Sequence, residues 1–173
     1  GIPGGHFVRK NPMNKNEICA LLARSGIAYE LVDHPAVYTM EDLAALSLPH
    51  PEAEAKNLFL RDDKRNLLLL TVPGEKRVNL KAFQKANGLR KLSFGSAEDL
   101  EALLGLHPGS VTPLGVLNDP AGSVPLYLDR ELAHKLLGIH PNENTATLYL
   151  RCEDLTALLE SQGHRVLFAD VPE

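Results

Sequence analysis

The sequence predicts an α/β (α+β) fold in which a mixed, largely antiparallel sheet is surrounded by helices. Three observations predict it. Strand-like and helix-like segments are intermixed with no regular β-α-β alternation. Residues 66–72 are apolar almost throughout, as a central strand covered on both faces requires. The chain has 173 residues, 44% of them hydrophobic, enough for one domain with a sizeable core.

The elements follow in order. Residues 1–13, opening Gly-Ile-Pro-Gly-Gly, read as an N-terminal tail or cloning remnant, and 14–173 as a single domain. From Asn14 the pattern is helical, with Ile18, Leu21, Leu22 and Ser25 on one face and Gly26 as the stop. Residues 27–32 alternate as a strand that ends at His34-Pro35. Thr39-Met40-Glu41-Asp42 is a capping box that opens a short helix reaching Leu46. Residues 56–60 and 66–72 are two strands joined by the polar 61–65, a hairpin signal. Helices follow over 80–86, ended by Asn87-Gly88, and from the cap at Ser96 to Leu104. After the loop 106–113 come a strand over 124–128, a short helix over 130–136 and a strand over 145–150. A helix over 153–161, stopped by Gly163, and an edge strand over 166–168 close the chain. No internal repeat or low-complexity segment interrupts this order.

Composition narrows the function. The longest apolar runs are too short to span a bilayer and no signal-peptide pattern opens the chain, so a cytoplasmic protein without membrane partners is expected. Cys19 and Cys152 are far apart with no CxxC spacing, against a disulfide scaffold or zinc ribbon. Cys19 reads as a buried thiol on the first helix; Cys152 starts a helix, where a thiolate is favoured, but with no partner histidine evident it too reads as an unreactive thiol. The net charge of -4 argues against coating nucleic acid. The charge is uneven, however. Residues 61–91 hold 9 basic and 3 acidic residues, whereas 1–60 hold 5 and 7, and 92–173 hold 4 and 12. The middle is either a solvated face or a local phosphate patch.

Familiar catalytic signatures are missing: GxSxG, GxxxxGK[ST], GxGxxG and HExxH do not occur. The seven histidines have no metal-ligand spacing, and His34, His50, His107 and His140 precede proline. No metal or cofactor is expected. Nor is there a helix-turn-helix, so sequence-specific DNA binding is not expected. Two segments carry possible chemistry. Lys56 stands at the mouth of an apolar strand. Gly109-Ser110-Val111-Thr112-Pro113 is a GxxxP loop, read either as an ordinary connection or as a set of backbone N–H groups facing a carbonyl or phosphate.

Three strings, KNLFLRD at 56–62, LSFGSAEDLEALLGLHPGSVTPLGVLND at 92–119 and HPNENTAT at 140–147, closely resemble the YbaK/ProX family. Its members are aminoacyl-tRNA deacylases related to the editing insertion of bacterial prolyl-tRNA synthetase. The likeness runs from about Asn14 to the C-terminus. The KNLFL form is most similar to the freestanding branch that removes alanine from Ala-tRNA(Pro), less so to relatives acting on Cys-tRNA(Pro). The resemblance implies an editing-domain fold, the acceptor end of a mischarged tRNA(Pro) as partner, and prolyl-tRNA synthetase as a further candidate partner. It implies that Lys56 anchors the tRNA terminus or orients the substrate, that Gly109 to Pro113 hold the aminoacyl carbonyl, and that His140 lines the pocket. Tyr38, Thr39 and Met40 fall in the segment that covers the pocket in relatives. Asn57, Asn118 and Asp119 are expected to support it. In this family the substrate's own terminal hydroxyl is thought to activate the hydrolytic water, so no triad is needed. Alternatives at this point are another aminoacyl-tRNA substrate, a non-catalytic tRNA-binding module, and a metal hydrolase.

Overall fold

A computed structural model describes residues 11–173. The tail expected over 1–13 therefore lies, up to residue 10, outside the described residues. Met13 is not loose: its N–H donates to Asn118 Oδ1 at 2.7 Å and its carbonyl accepts from Asn142 Nδ2 at 3.0 Å.

Helix α1 (Lys15–Arg24) starts at a capping box between Asn14 and Glu17 and buries Ile18, Leu21 and Leu22. Strand β1 (Glu30–Asp33) and helix α2 (Met40–Ala44) follow, the latter capped by Thr39 and Asp42. Strands β2 (Ala55–Asp62) and β3 (Leu67–Pro73) form the expected hairpin. Next come α3 (Leu80–Asn87), β4 (Leu92–Phe94) and α4 (Ala97–Leu104). Two 3-10 turns, Pro108–Ser110 and Pro113–Asn118, lead to β5 (Leu126–Asp129). The chain ends with β6 (Leu136–Ile139), β7 (Ala146–Arg151), α5 (Cys152–Ser161) and β8 (Val166–Ala169).

The strands form two sheets. Five lie in the order β4-β2-β3-β5-β8 and three in the order β1-β7-β6. The pairings β2–β3, β2–β4, β1–β7 and β6–β7 are antiparallel, while β3–β5 and β5–β8 are parallel. The apolar run of β3 takes the centre of the larger sheet. Leu69 enters one core with α1, α4, α5 and the smaller sheet. Leu68, Leu70 and Val72 enter a second core with Phe83 of α3. Strand periodicity, with alternate side chains on opposite faces, explains why nearly every position is apolar.

Three expectations need correcting. The helix expected over 130–136 is only a 3-10 turn, Arg130–Leu132, followed by β6. His134 takes a left-handed φ of 63°, which a helix cannot continue through, and Leu136 then pairs with Arg151 of β7. β1 begins at Glu30 and not at 27, because the Ile27 N–H turns back to the Leu22 carbonyl at 3.0 Å to close α1. β4 was unforeseen. Its first residue is held by Gln84 Oε1, and the Gly95 N–H donates to the Phe59 carbonyl at 2.9 Å.

Candidate functional site

The site begins with a gap in strand pairing. β4 pairs with β2 only at Leu60, Arg61 and Asp62. The Phe59 carbonyl points towards β4, and polar groups alternate along a strand, so the N–H and C=O of Asn57 point to the same side. No strand pairs with Asn57 there among the described residues. A cleft of about 150 Å³ opens at this bare stretch, lined among others by Lys56, Asn57, Gly109, Val111 and His140. Its walls include Tyr38, Thr39 and Met40. Four regions far apart in sequence thus meet on one hollow.

Lys56 is half-buried and its ammonium donates to the Lys76 carbonyl. Burial lowers its pKa, and the nearby Glu173 carboxylate works the other way. An ammonium has three donors, so two remain for a ligand. His140 lies with Nδ1 3.1 Å from the Ala146 carbonyl oxygen. A carbonyl can only accept, so Nδ1 carries the proton and Nε2 keeps a lone pair. Burial lowers the His140 pKa, partly opposed by the Ala146 hydrogen bond, and the charge of His34 lowers it further. The ring is therefore neutral at neutral pH.

In the GxxxP loop, the Ser110 N–H is spent on the His107 carbonyl at 2.8 Å, and Ser110 is buried. The N–H groups of Gly109 and Val111 make no hydrogen bond among the described residues, and both residues line the cleft. Gly109 is needed for close approach: a Cβ there would lie 3.0 Å from Tyr38 Cδ1 and 3.3 Å from Asn144 Nδ2. The arrangement offers two backbone donors, an ammonium and an imidazole acceptor around a small hollow.

Not every expected residue reaches it. Thr112 and Pro113 are buried beneath the loop, where Thr112 Oγ1 accepts from the Leu114 N–H. Asn118 is fully buried and donates to the Leu104 carbonyl at 2.7 Å while holding Met13. Asp119 Oδ2 gathers the N–H groups of Ser123 and Val124 and so closes a turn. These residues shape the loop from behind. Asn57 also has a side-chain role, with its Oδ1 accepting from Thr71 Oγ1 at 2.6 Å.

Sequence reasoning missed Leu43, Ala55 and Pro108 among the lining residues. It also missed Glu54, whose nearly buried carboxylate accepts from the Tyr149 hydroxyl at 2.6 Å. The adjacency of Ala55 to Lys56 was an available signal. The contact between Glu54 and Tyr149 spans 95 positions and left none.

Several charges of the basic segment 61–91 are spent on carboxylates or stand away from the cleft. Lys76 is held by Asp129 and Glu131 at 2.7 and 2.9 Å, and Arg90 pairs with Asp63. Arg61, Arg65 and Lys91 line a separate hollow at the hairpin end of β2, about 17 Å of strand from Lys56. Of the cysteines, Cys19 needs correction, being only half-buried beside Tyr29, whereas Cys152 is buried and its thiol pushed up to about 11, as an unreactive thiol should be. No helix among the described residues is long and apolar enough to cross a membrane.

An aminoacyl-tRNA editing domain model matches residues 34–158. The prolyl-tRNA editing protein ProX of Acetoanaerobium sticklandii is 36% identical over 152 residues, covering 87% of this chain and 93% of that protein. Prolyl-tRNA synthetase associated domain-containing protein 1 of Danio rerio is 32% identical over 168 residues, covering 93% and 89%. A crystal structure described as a candidate trans-editing enzyme for prolyl-tRNA synthetase aligns with a TM-score of 0.68 at 23% identity, covering 92% of this chain and 96% of that one. That likeness concerns the fold.

Proposed function

The chain belongs to the aminoacyl-tRNA editing domain family, and from that premise we propose that it hydrolyses mischarged aminoacyl-tRNA in trans, with Ala-tRNA(Pro) as substrate. The products are free alanine and tRNA(Pro). The protein then acts downstream of prolyl-tRNA synthetase, clearing its mischarged product.

One observation carries the reading: Lys56, two unspent N–H groups of the GxxxP loop and His140 surround a single cleft of about 150 Å³. At about 30 Å³ per water, that volume equals roughly five waters. It suits a small aminoacyl group and leaves the terminal adenosine at the mouth. A synthetase pocket shaped for proline cannot sterically exclude alanine, since missing methylenes discriminate by only about 1–3 kcal/mol. A second hollow that admits alanine and excludes proline would complete a double sieve.

The residues divide the work. The Gly109 and Val111 N–H groups receive the carbonyl oxygen as it becomes an oxyanion, the moment at which fixed donors lower the barrier most. The Lys56 ammonium holds the 3′ end. His140 Nε2 accepts a hydrogen bond from the substrate's vicinal hydroxyl, which in turn orients the attacking water. Water oxygen bonds to the carbonyl carbon, the ester C–O bond breaks, and the ribose oxygen leaves with a proton. An aminoacyl ester is already reactive, so no nucleophilic side chain is needed.

The test incubates the purified protein with Ala-, Cys- and Pro-tRNA(Pro) and measures free amino acid. Release of alanine well above the other two is expected. Preferential release of cysteine overturns the substrate, and release of none overturns the enzymatic reading in favour of a tRNA-binding module.

A further inference from the structure

Glu54 and Gly138 are joined by a parallel β-bridge, and each stands two residues before a residue of the cleft, Lys56 and His140 respectively. The bridge is the point at which the two sheets meet beside the site. It therefore sets the register of Lys56 on the larger sheet against His140, which directly follows β6 of the smaller one.

A hydrogen bond closes over this bridge. Tyr149 is the cross-strand partner of Gly138 on β7. Its hydroxyl crosses to the other sheet and donates to Glu54 Oε1 at 2.6 Å. The pair is nearly sealed, Glu54 being 9% and Tyr149 1% exposed. Gly138 makes the fit feasible, because a Cβ there would lie 2.8 Å from Tyr149 Cε1 and 3.0 Å from Glu54 Oε2. On the opposite side, the Glu54 carbonyl accepts from the Gly74 N–H at 2.9 Å. A Cβ on Gly74 would stand 2.6 Å from both that carbonyl and Met40 Cε, so the same residue also touches the turn that backs the cleft wall.

A buried carboxylate is a poor choice for stability alone, since desolvating it costs more than a well-packed apolar residue of similar size. Here burial raises the carboxyl pKa, partly opposed by the Tyr149 hydroxyl. The other charged or titratable groups that act on Glu54 are His34, Glu52 and His50. The His50 ring meets Tyr149 edge-on at 4.9 Å and is itself held by Glu30 at 2.7 Å. Tyr149 is thus gripped from both sides, and its hydroxyl has one direction to point.

We propose that Glu54 and Tyr149 are positioning residues, whose hydrogen bond fixes Lys56 and His140 at the separation that ester hydrolysis requires. This rests on the deacylase reading above and adds a specific device to it. Neither residue lines the cleft, so neither is expected to contribute to substrate affinity.

The test uses the full chain and three variants: Tyr149→Phe, Glu54→Gln and Glu54→Met. Glutamine keeps an oxygen that can accept from Tyr149, whereas phenylalanine and methionine remove the bond. Tyr149→Phe and Glu54→Met should lower kcat about tenfold or more with KM within about twofold, because sub-ångström misplacement acts on the barrier and not on binding. Glu54→Gln should keep kcat near wild type. A folded Tyr149→Phe with wild-type kcat, or equal kcat in Glu54→Gln and Glu54→Met, overturns the proposal. If Tyr149→Phe fails to fold, the two Glu54 variants decide alone. A second readout needs no turnover: the NMR titration midpoint of the His140 ring should move in Glu54→Met and not in Glu54→Gln. Unchanged midpoints in both overturn the proposal. A wild-type protein that hydrolyses no aminoacyl-tRNA sinks the deacylase reading instead, and the NMR arm still decides whether Glu54 sets the His140 environment.

Discussion

The Nδ1 of His140 donates to the carbonyl oxygen of Ala146 across 3.1 Å, and this single contact fixes which ring nitrogen is left to accept. A pH prediction follows. Burial, the largest influence, holds the His140 pKa below its ordinary value near 6.5. Between the depressed folded value and about 6.5, the unfolded chain binds a proton that the folded chain does not, so stability rises with pH through that window and falls on acidification. Turnover should follow the neutral ring: its acid limb should have a midpoint below about 6.5, and His140→Gln should remove that limb. His164 is shifted in the same direction by burial, so the stability comparison must be wild type against His140→Gln. An acid limb centred at or above the ordinary histidine value would exclude the neutral His140 as the acceptor.

Lys56→Ala should cut deacylation by about tenfold or more while leaving the fold intact. The lost bond to the Lys76 carbonyl costs about 1 kcal/mol of stability, a small fraction of a typical domain's total. A charge-assisted contact to substrate is worth about 1.5–3 kcal/mol, so the rate should fall by roughly 10- to 150-fold from that contact alone. Thermal denaturation and alanine release, measured on one preparation, separate the two effects. Near-normal hydrolysis by the variant would remove Lys56 from the mechanism.

Gly109→Val should cost at least as much activity as Lys56→Ala. The atoms a new Cβ meets are side-chain atoms of Tyr38 and Asn144, and Tyr38 is 73% exposed and free to swing. Asn144 is less free, because its Nδ2 donates to the Val37 carbonyl at 2.8 Å. Relief of the contact therefore shifts the loop itself, together with its two N–H donors, at a stability cost of about 1 kcal/mol. Circular dichroism and turnover test this together. A folded variant with wild-type turnover would remove the GxxxP donors from the mechanism.

What the sequence revealed, and what it hid, divides by range. The helix start at Asn14, the capping box at Thr39 and the hairpin around residues 61–65 are local, and they stand where the pattern put them. The apolar run of β3 announced a central strand, because only a strand with two covered faces needs it. The run 130–136 looked helical from its apolar spacing, yet a left-handed His134 and pairing with β7 overrode that preference. At the cleft, Lys56 and the GxxxP loop were visible as motifs. The bare edge at Asn57 was not, since it arises from how far β4 extends, and neither was the Glu54–Tyr149 bond between two sheets. The charge-rich segment was visible, but not that folding spends Lys76 and Arg90 on carboxylates distant in sequence.

The wall at Met40 should decide which amino acid enters. Val37 and Leu43 also line the cleft, but both are core residues, and truncating either costs about 2–5 kcal/mol. Met40 is only half-buried, with its terminal methyl resting where Gly74 lacks a side chain, so it can be shortened without opening the core. Met40→Ala enlarges a hollow of about 150 Å³ by several methylene equivalents, and each methylene is worth about 1–3 kcal/mol in discrimination. Hydrolysis of Pro-tRNA(Pro) relative to Ala-tRNA(Pro) should therefore rise by about tenfold or more. Competition between the two tRNAs in one reaction measures the ratio directly. If the ratio stays at its wild-type value while alanine release continues, the sieve is set by another wall, and the exposed ring of Tyr38 is the next to truncate.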